Sequence, residues 1–138
     1  IRVPGLMVWP DKVKKPLTVT APCVTSDYFP TILSSLGIAL PDDRVYDGVS
    51  LWPFIEEKTT ERTKPIGFLN KDAKESVWMK ERYKLISRPN GIQLFDIAKD
   101  ASETEDLSEA LPEIAEAMKG ELTRWKDSVL AELKAIEW

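Results

Sequence analysis

The sequence predicts an α+β fold in two parts: a strand with a covering helix over residues 1–58, then a small antiparallel four-stranded sheet packed by a long C-terminal helix over residues 62–138. Three observations carry this. Ile114, Met118, Leu122, Trp125, Val129, Leu133 and Ile136 step by four, four, three, four, four and three, one apolar stripe at helical period. Between Ile66 and Ile97, short β-branched or aromatic runs alternate with turn signals. Between these parts and the N-terminal segment lies Glu56 to Lys64, a polar run closed by Pro65, where the hydrophobic grammar changes.

In chain order, Ile1 to Trp9 reads as a buried strand, with Pro4-Gly5 as an irregularity. Leu17 to Thr20 reads as a second extended piece. Ser26-Asp27 is a helix start, and Phe29, Ile32, Leu33 and Leu36 form one stripe of a short amphipathic helix. Gly37 stands where a left-handed cap residue is wanted. Leu51 to Ile55 reads as half a helical turn on a core. Ile66–Leu69, Val77–Met79, Tyr83–Ser87 and Ile92–Ile97 make the meander, with Pro89-Asn90-Gly91 as its strongest turn signal. Pro112 suits a first helical position.

Composition is globular, 43% hydrophobic and 30% charged. A net charge of −4 with interspersed cations gives no basic field for nucleic acid. No apolar run approaches the roughly 18 residues of a membrane span. Opening on a buried-strand pattern with no start signal, the chain reads as a segment of a larger protein.

Catalytic chemistry is sparse. Without histidine there is no triad and no histidine-ligated metal. Cys23, the only cysteine, reads as a buried inert thiol because no base can activate it. The acidic pairs Asp42-Asp43, Glu56-Glu57 and Asp96/Asp100, and the group Glu103, Glu105 and Asp106, read as solvated turn carboxylates, lacking the spacing of a calcium loop. Arg82, Tyr83, Lys84 and Arg88 form a basic-aromatic cluster, either an anion-contacting surface or cross-strand pairs on an exposed sheet face. Trp125 reads as core, and the other four tryptophans as residues that line an interface. No catalytic, cofactor-binding or metal-binding residue is assigned.

The order of short motifs is more informative than any one of them. Ile-Arg-Val-Pro-Gly-Leu-Met-Val-Trp-Pro at 1–10, Ser26-Asp27 with Pro30-Thr31-Ile32-Leu33, Leu36-Gly37-Ile38, Asp47-Gly48-Val49-Ser50-Leu51, Arg82-Tyr83-Lys84-Leu85-Ile86, Gln93-Leu94-Phe95-Asp96-Ile97 and Asp100 with Glu103-Thr104-Glu105-Asp106-Leu107 follow the order found in sulfatases. The chain thus resembles the C-terminal portion of an arylsulfatase-like enzyme of the alkaline phosphatase superfamily. At Ala101-Ser102 it departs from that family's Pro-Gly.

The resemblance implies that residues 1–58 end the large α/β catalytic-type domain and residues 62–138 form the C-terminal subdomain. It implies a full-length parent that hydrolyses sulfuric esters with a formylglycine and calcium or another divalent cation. Cys23 does not stand in the Cys/Ser-x-Pro-x-Arg motif that yields formylglycine, and the metal pair lies upstream of the position matching Ile1. This chain alone is therefore expected to be inactive, a buttress whose segments Asn70–Ser76 and Arg88–Gly91 rim the substrate pocket. Its partner would be the upstream catalytic domain of the same polypeptide, with self-association or strand swapping when isolated. Alternatives are the tail of a related phosphodiester or phosphonate hydrolase, and a stand-alone interaction module. The compartment is undetermined, although the family implies a parent that is exported, periplasmic or secreted, or lysosomal.

Overall fold

The computed structural model describes residues 3–135. Contacts divide the chain into two units, Ile1–Arg62 and Thr63–Trp138.

In the first unit a 3-10 turn, Thr25–Asp27, runs into helix α1, Tyr28–Ser35, and a single helical turn, α2, Trp52–Ile55, follows. α1 ends on Gly37 at φ +70°, with the Ile38 N–H returning to the Leu33 carbonyl and the Gly37 N–H to Ser34. That is the left-handed cap that glycine accommodates without strain. The buried face of α1 is Pro30 and Thr31 rather than the predicted stripe: Phe29, Ile32 and Leu36 are exposed. Gly48 passes so close to Ser26 that a Cβ would lie 2.0 Å from its carbonyl oxygen.

Two predicted strands are absent here. Residues 3–9 and Leu17–Thr20 form no ladder; Val3, Leu6 and Val8 are exposed. A strand exists only by pairing, and no strand among the described residues of this unit offers a partner. Pro4 also removes one donor. Ile1 and Arg2 lie outside the described residues.

The second unit is a four-stranded antiparallel meander in the order β1-β2-β3-β4, with β1 at Ile66–Leu69, β2 at Ser76–Lys80, β3 at Tyr83–Arg88 and β4 at Gly91–Asp96. Helix α3, Pro112–Ala135, lies on one face. Register explains the core. Gly67 opposes Trp78, Trp78 opposes Leu85, and Leu85 opposes Leu94, so one row crosses all four strands. Against it α3 sets Ala115, Met118 and Leu122, all buried. At the β1 end of the row Trp125 occupies the room Gly67 leaves: a Cβ there would stand 2.6 Å from the indole. Trp125 also meets Trp78 at a ring-centroid distance of 5.6 Å. The helical stripe thus packs from Ile114 to Trp125, Val129 is half-buried, Leu133 is exposed, and Ile136 falls outside the described residues.

The outer side of β4 is occupied at its centre. The Leu94 N–H donates to the Asp106 carboxylate at 3.1 Å, and the Leu107 N–H donates to the Leu94 carbonyl at 2.8 Å. Among the described residues no helix is long and apolar enough to cross a membrane.

Candidate functional site

The residues with chemical potential fall into three groups. The first is a buried polar hub in unit 1. Asp27 has no solvent exposure, and its carboxylate accepts from the Val24 N–H, the Val49 N–H and both terminal nitrogens of Arg62, each at 2.8 Å. One turn on, the Thr31 hydroxyl donates to the Asp27 carbonyl and accepts from the Leu51 N–H, while the Trp52 indole N–H donates to the Thr31 carbonyl. Two side chains of α1 and its lead-in turn therefore satisfy the 49–52 segment. A buried charge is tolerable only with such full pairing. The hub is saturated, which suits a structural clamp and leaves no oxygen for a substrate.

Cys23 lies nearby but is exposed, correcting its expected burial; its thiol donates to the Ala21 carbonyl at 3.2 Å. Partial burial of the sulfur, then the Asp27 carboxylate, push the thiol up from its ordinary value, while Arg62 pulls the other way. A thiol held protonated is a poor nucleophile.

The second group lies at one end of the sheet, where both predicted rim segments meet. In the 70–75 turn, Asn70 accepts the Glu75 N–H on its side chain and the Ala73 N–H on its carbonyl, with Ala73 at φ +57°. Lys126 of α3 donates to the Ala73 carbonyl at 2.6 Å, and Arg88 at the end of β3 reaches Glu75 at 3.3 Å. Helix and sheet therefore both hold this turn, beside the 89–90 turn.

The third group is the basic-aromatic cluster, whose cations are all paired. Arg82 bonds Asp96, Lys84 grips both oxygens of Glu103 at 2.6 and 2.7 Å, and Arg88 donates to Gln93 as well as Glu75. The Arg82 guanidinium lies 5.7 Å from the Tyr83 ring centre. Arg88–Gln93 is a cross-strand pair as expected, whereas Lys84 pairs with a loop carboxylate and Arg82 pairs from a turn. The Arg82 hydrogen bond also keeps the Asp96 carboxyl below its usual range.

Sequence reading missed the Asp27–Arg62 pair, whose members stand 35 positions apart, and the link from the polar side of α3. There Glu121 accepts from the Trp78 indole at 3.0 Å and from Lys80 at 2.6 Å. Trp78 is core, not an interface lining. Among the described residues no group of three or more acidic or cysteine side chains is placed to hold a metal ion.

The sheet-and-helix unit is that of sulfatase C-terminal regions. The crystal structure of Ps i-CgsB matches with a TM-score of 0.69 and 25% identity over 78% of this chain and 25% of that one. A 2-O GAG sulfatase shares the fold, with a TM-score of 0.58 and 20% identity over 80% of this chain and 26% of its own. Human steryl-sulfatase is 39% identical over 59 residues, 43% of this chain and 10% of that protein. Dog arylsulfatase G (Canis lupus familiaris) is 44% identical over 48 residues, 35% of this chain and 9% of its own. The family described as N-sulphoglucosamine sulphohydrolase, C-terminal, matches residues 1–128, and the chain belongs to it. The chain spans about a tenth of the length of the curated relatives it matches and a quarter of the solved ones.

Proposed function

We propose that this chain works as the C-terminal part of a sulfuric ester hydrolase. Residues 1–58 would complete the large α/β domain, and residues 62–138 would form the subdomain that buttresses it. The observation that carries this reading is the family match over residues 1–128, joined to a sheet and helix of sulfatase type. The held turns at 70–76 and 88–91 would stand at the rim of the substrate pocket. Formylglycine and a divalent cation, which supply the nucleophile and the electrophilic assistance in sulfatases, would come from outside residues 1–138. What this chain contributes is rigidity: the Asp27 clamp and the Gly67–Trp125 contact fix the two units internally. Apart from a catalytic partner, the bare apolar side chains of residues 3–8 and α1 favour association of the chain with itself.

The test begins with the coding sequence upstream of Ile1. It is expected to encode a catalytic part with Cys/Ser-x-Pro-x-Arg, whose turnover of 4-nitrophenyl sulfate with calcium requires residues 1–138. The pure chain is expected to give no turnover. A start codon directly before Ile1, or turnover by the chain alone, would overturn the proposal.

A further inference from the structure

Unit 1 carries a groove of about 510 Å³ between the 12–17 segment, the end of α1 and α2. Its lining includes Lys12, Lys14, Lys15, Ser34, Trp52 and Ile55. This volume lies within the usual range for small-molecule sites. The groove is built rather than incidental. The Lys12 and Val13 N–H groups both return to the Trp9 carbonyl, at 3.0 and 2.7 Å, which fixes the basic turn. The Trp9 ring meets Trp52 edge-on, centroids 5.7 Å apart, and the Trp52 N–H is tied to Thr31. The indole is thus held in place.

The charge balance is specific. Lys15 is neutralised by Glu57 at 2.7 Å, and the lining Glu56 by Lys58 at 2.9 Å. The ammonium groups of Lys12 and Lys14 have no ion-pair partner among the described residues. The groove lining therefore combines two lysines that have no ion-pair partner among the described residues with the held indole of Trp52 and the apolar Ile55. A compact dianion complements two point charges, and the ring that carries it would lie against the indole.

We propose that this groove binds a phosphate monoester carried on a ring, of sugar or aryl type. The phosphate is set between Lys12 and Lys14 and the ring against Trp52. A phosphate monoester is a dianion above its second pKa of about 6, whereas a sulfate monoester carries a single charge. The proposal is independent of the catalytic reading.

The experiment is an NMR titration of the whole chain at low ionic strength, following the Trp52 indole N–H and the amides of residues 12–15. Probes are glucose 6-phosphate, phenyl phosphate, glucose 6-sulfate, inorganic phosphate and glucose. Both phosphate esters are expected to saturate these signals at least fivefold more tightly than glucose 6-sulfate or inorganic phosphate, and glucose is expected to be silent. The tighter ester identifies the source of the ring. Binding should weaken as pH falls below about 6. Lys12→Gln/Lys14→Gln, or Lys14→Gln alone as the milder variant, should lower affinity at least fivefold without changing distant resonances. Equal affinity for inorganic phosphate, no saturable shift, or indifference to the lysine variants would overturn the proposal.

Discussion

The two terminal nitrogens of Arg62 donate to the two carboxylate oxygens of Asp27, each at 2.8 Å, and the pair is withdrawn from water. This contact joins the last residue of unit 1 to the turn that starts α1. Removing one partner strands a buried charge, at a cost of about 3–5 kcal/mol. Asp27→Leu or Arg62→Leu should each lower the urea midpoint followed by amide exchange in α1. Asp27→Leu/Arg62→Leu together should lose less than the sum of the two. Strict additivity would show that the pair is not coupled.

Two glycines are required by close approach rather than by turn geometry. Gly67→Ala would press a methyl group into the Trp125 ring and should cost about 1–3 kcal/mol. Gly48→Ala meets backbone at Ser26, which cannot rotate aside, and should cost more. Gly5→Ala, with open space around it, is the control for differential scanning calorimetry. Equal melting temperatures for all three would contradict the packing described.

The core row makes a further contrast. Leu85 has no exposure and should lose about 2–5 kcal/mol on Leu85→Ala. Leu133, 58% exposed on the same stripe, should change by about 0.5 kcal/mol or less. Denaturant midpoints for the two variants decide whether packing stops where the structure places it.

Acid should loosen unit 2 through its tied carboxylates. Burial raises the pKa of Glu121, but hydrogen bonds from Lys80 and Trp78 outweigh it, and the net direction is down. At Asp106 burial is likewise outweighed by the N–H groups of Ser108 and Leu94. A carboxyl whose folded pKa lies below its unfolded value binds fewer protons in the folded state, so protonation favours unfolding. The contribution is complete above the unfolded values, about 4, and is lost as pH falls through the folded ones. Asp106→Asn and Glu121→Gln should each flatten the acid limb of stability below about pH 4. An unchanged limb would refute the assignment.

Val3 and Leu6 are 81% and 93% exposed, and Ile32 of α1 is 57% exposed. Sedimentation velocity of the isolated chain should therefore show concentration-dependent association, reduced by Leu6→Glu with Ile32→Glu. A clean monomer at every concentration would count against these residues as sticky surface.

Legibility in the sequence followed locality. The four strands and α3 were readable within a residue or two, because alternation, Asn90-Gly91 and a six-step helical stripe are local signals. So was the Gly37 cap. Ile1–Trp9 misled because an apolar run specifies burial without saying what pairs with it. Phe29, Ile32 and Leu36 have helical spacing, yet they are not the face that unit 1 buries. Cys23 looked buried because its neighbours Pro22, Val24 and Thr25 resemble a packed segment, yet it is exposed. Glu121 and Arg62 carry no local signal of a partner, and only tertiary placement gives them theirs on β2 and at Asp27.

The hydrogen bonds at Leu94 have a consequence for how the sheet can be enlarged. Asp106 and Leu107 already take the outward N–H and C=O at the middle of β4, so no strand can be added there without displacing both. Growth is one-sided: an additional strand, from this polypeptide or another, enters without displacing such bonds only alongside β1, where the alternation of the ladder turns the backbone groups of Gly67 and Leu69 outward.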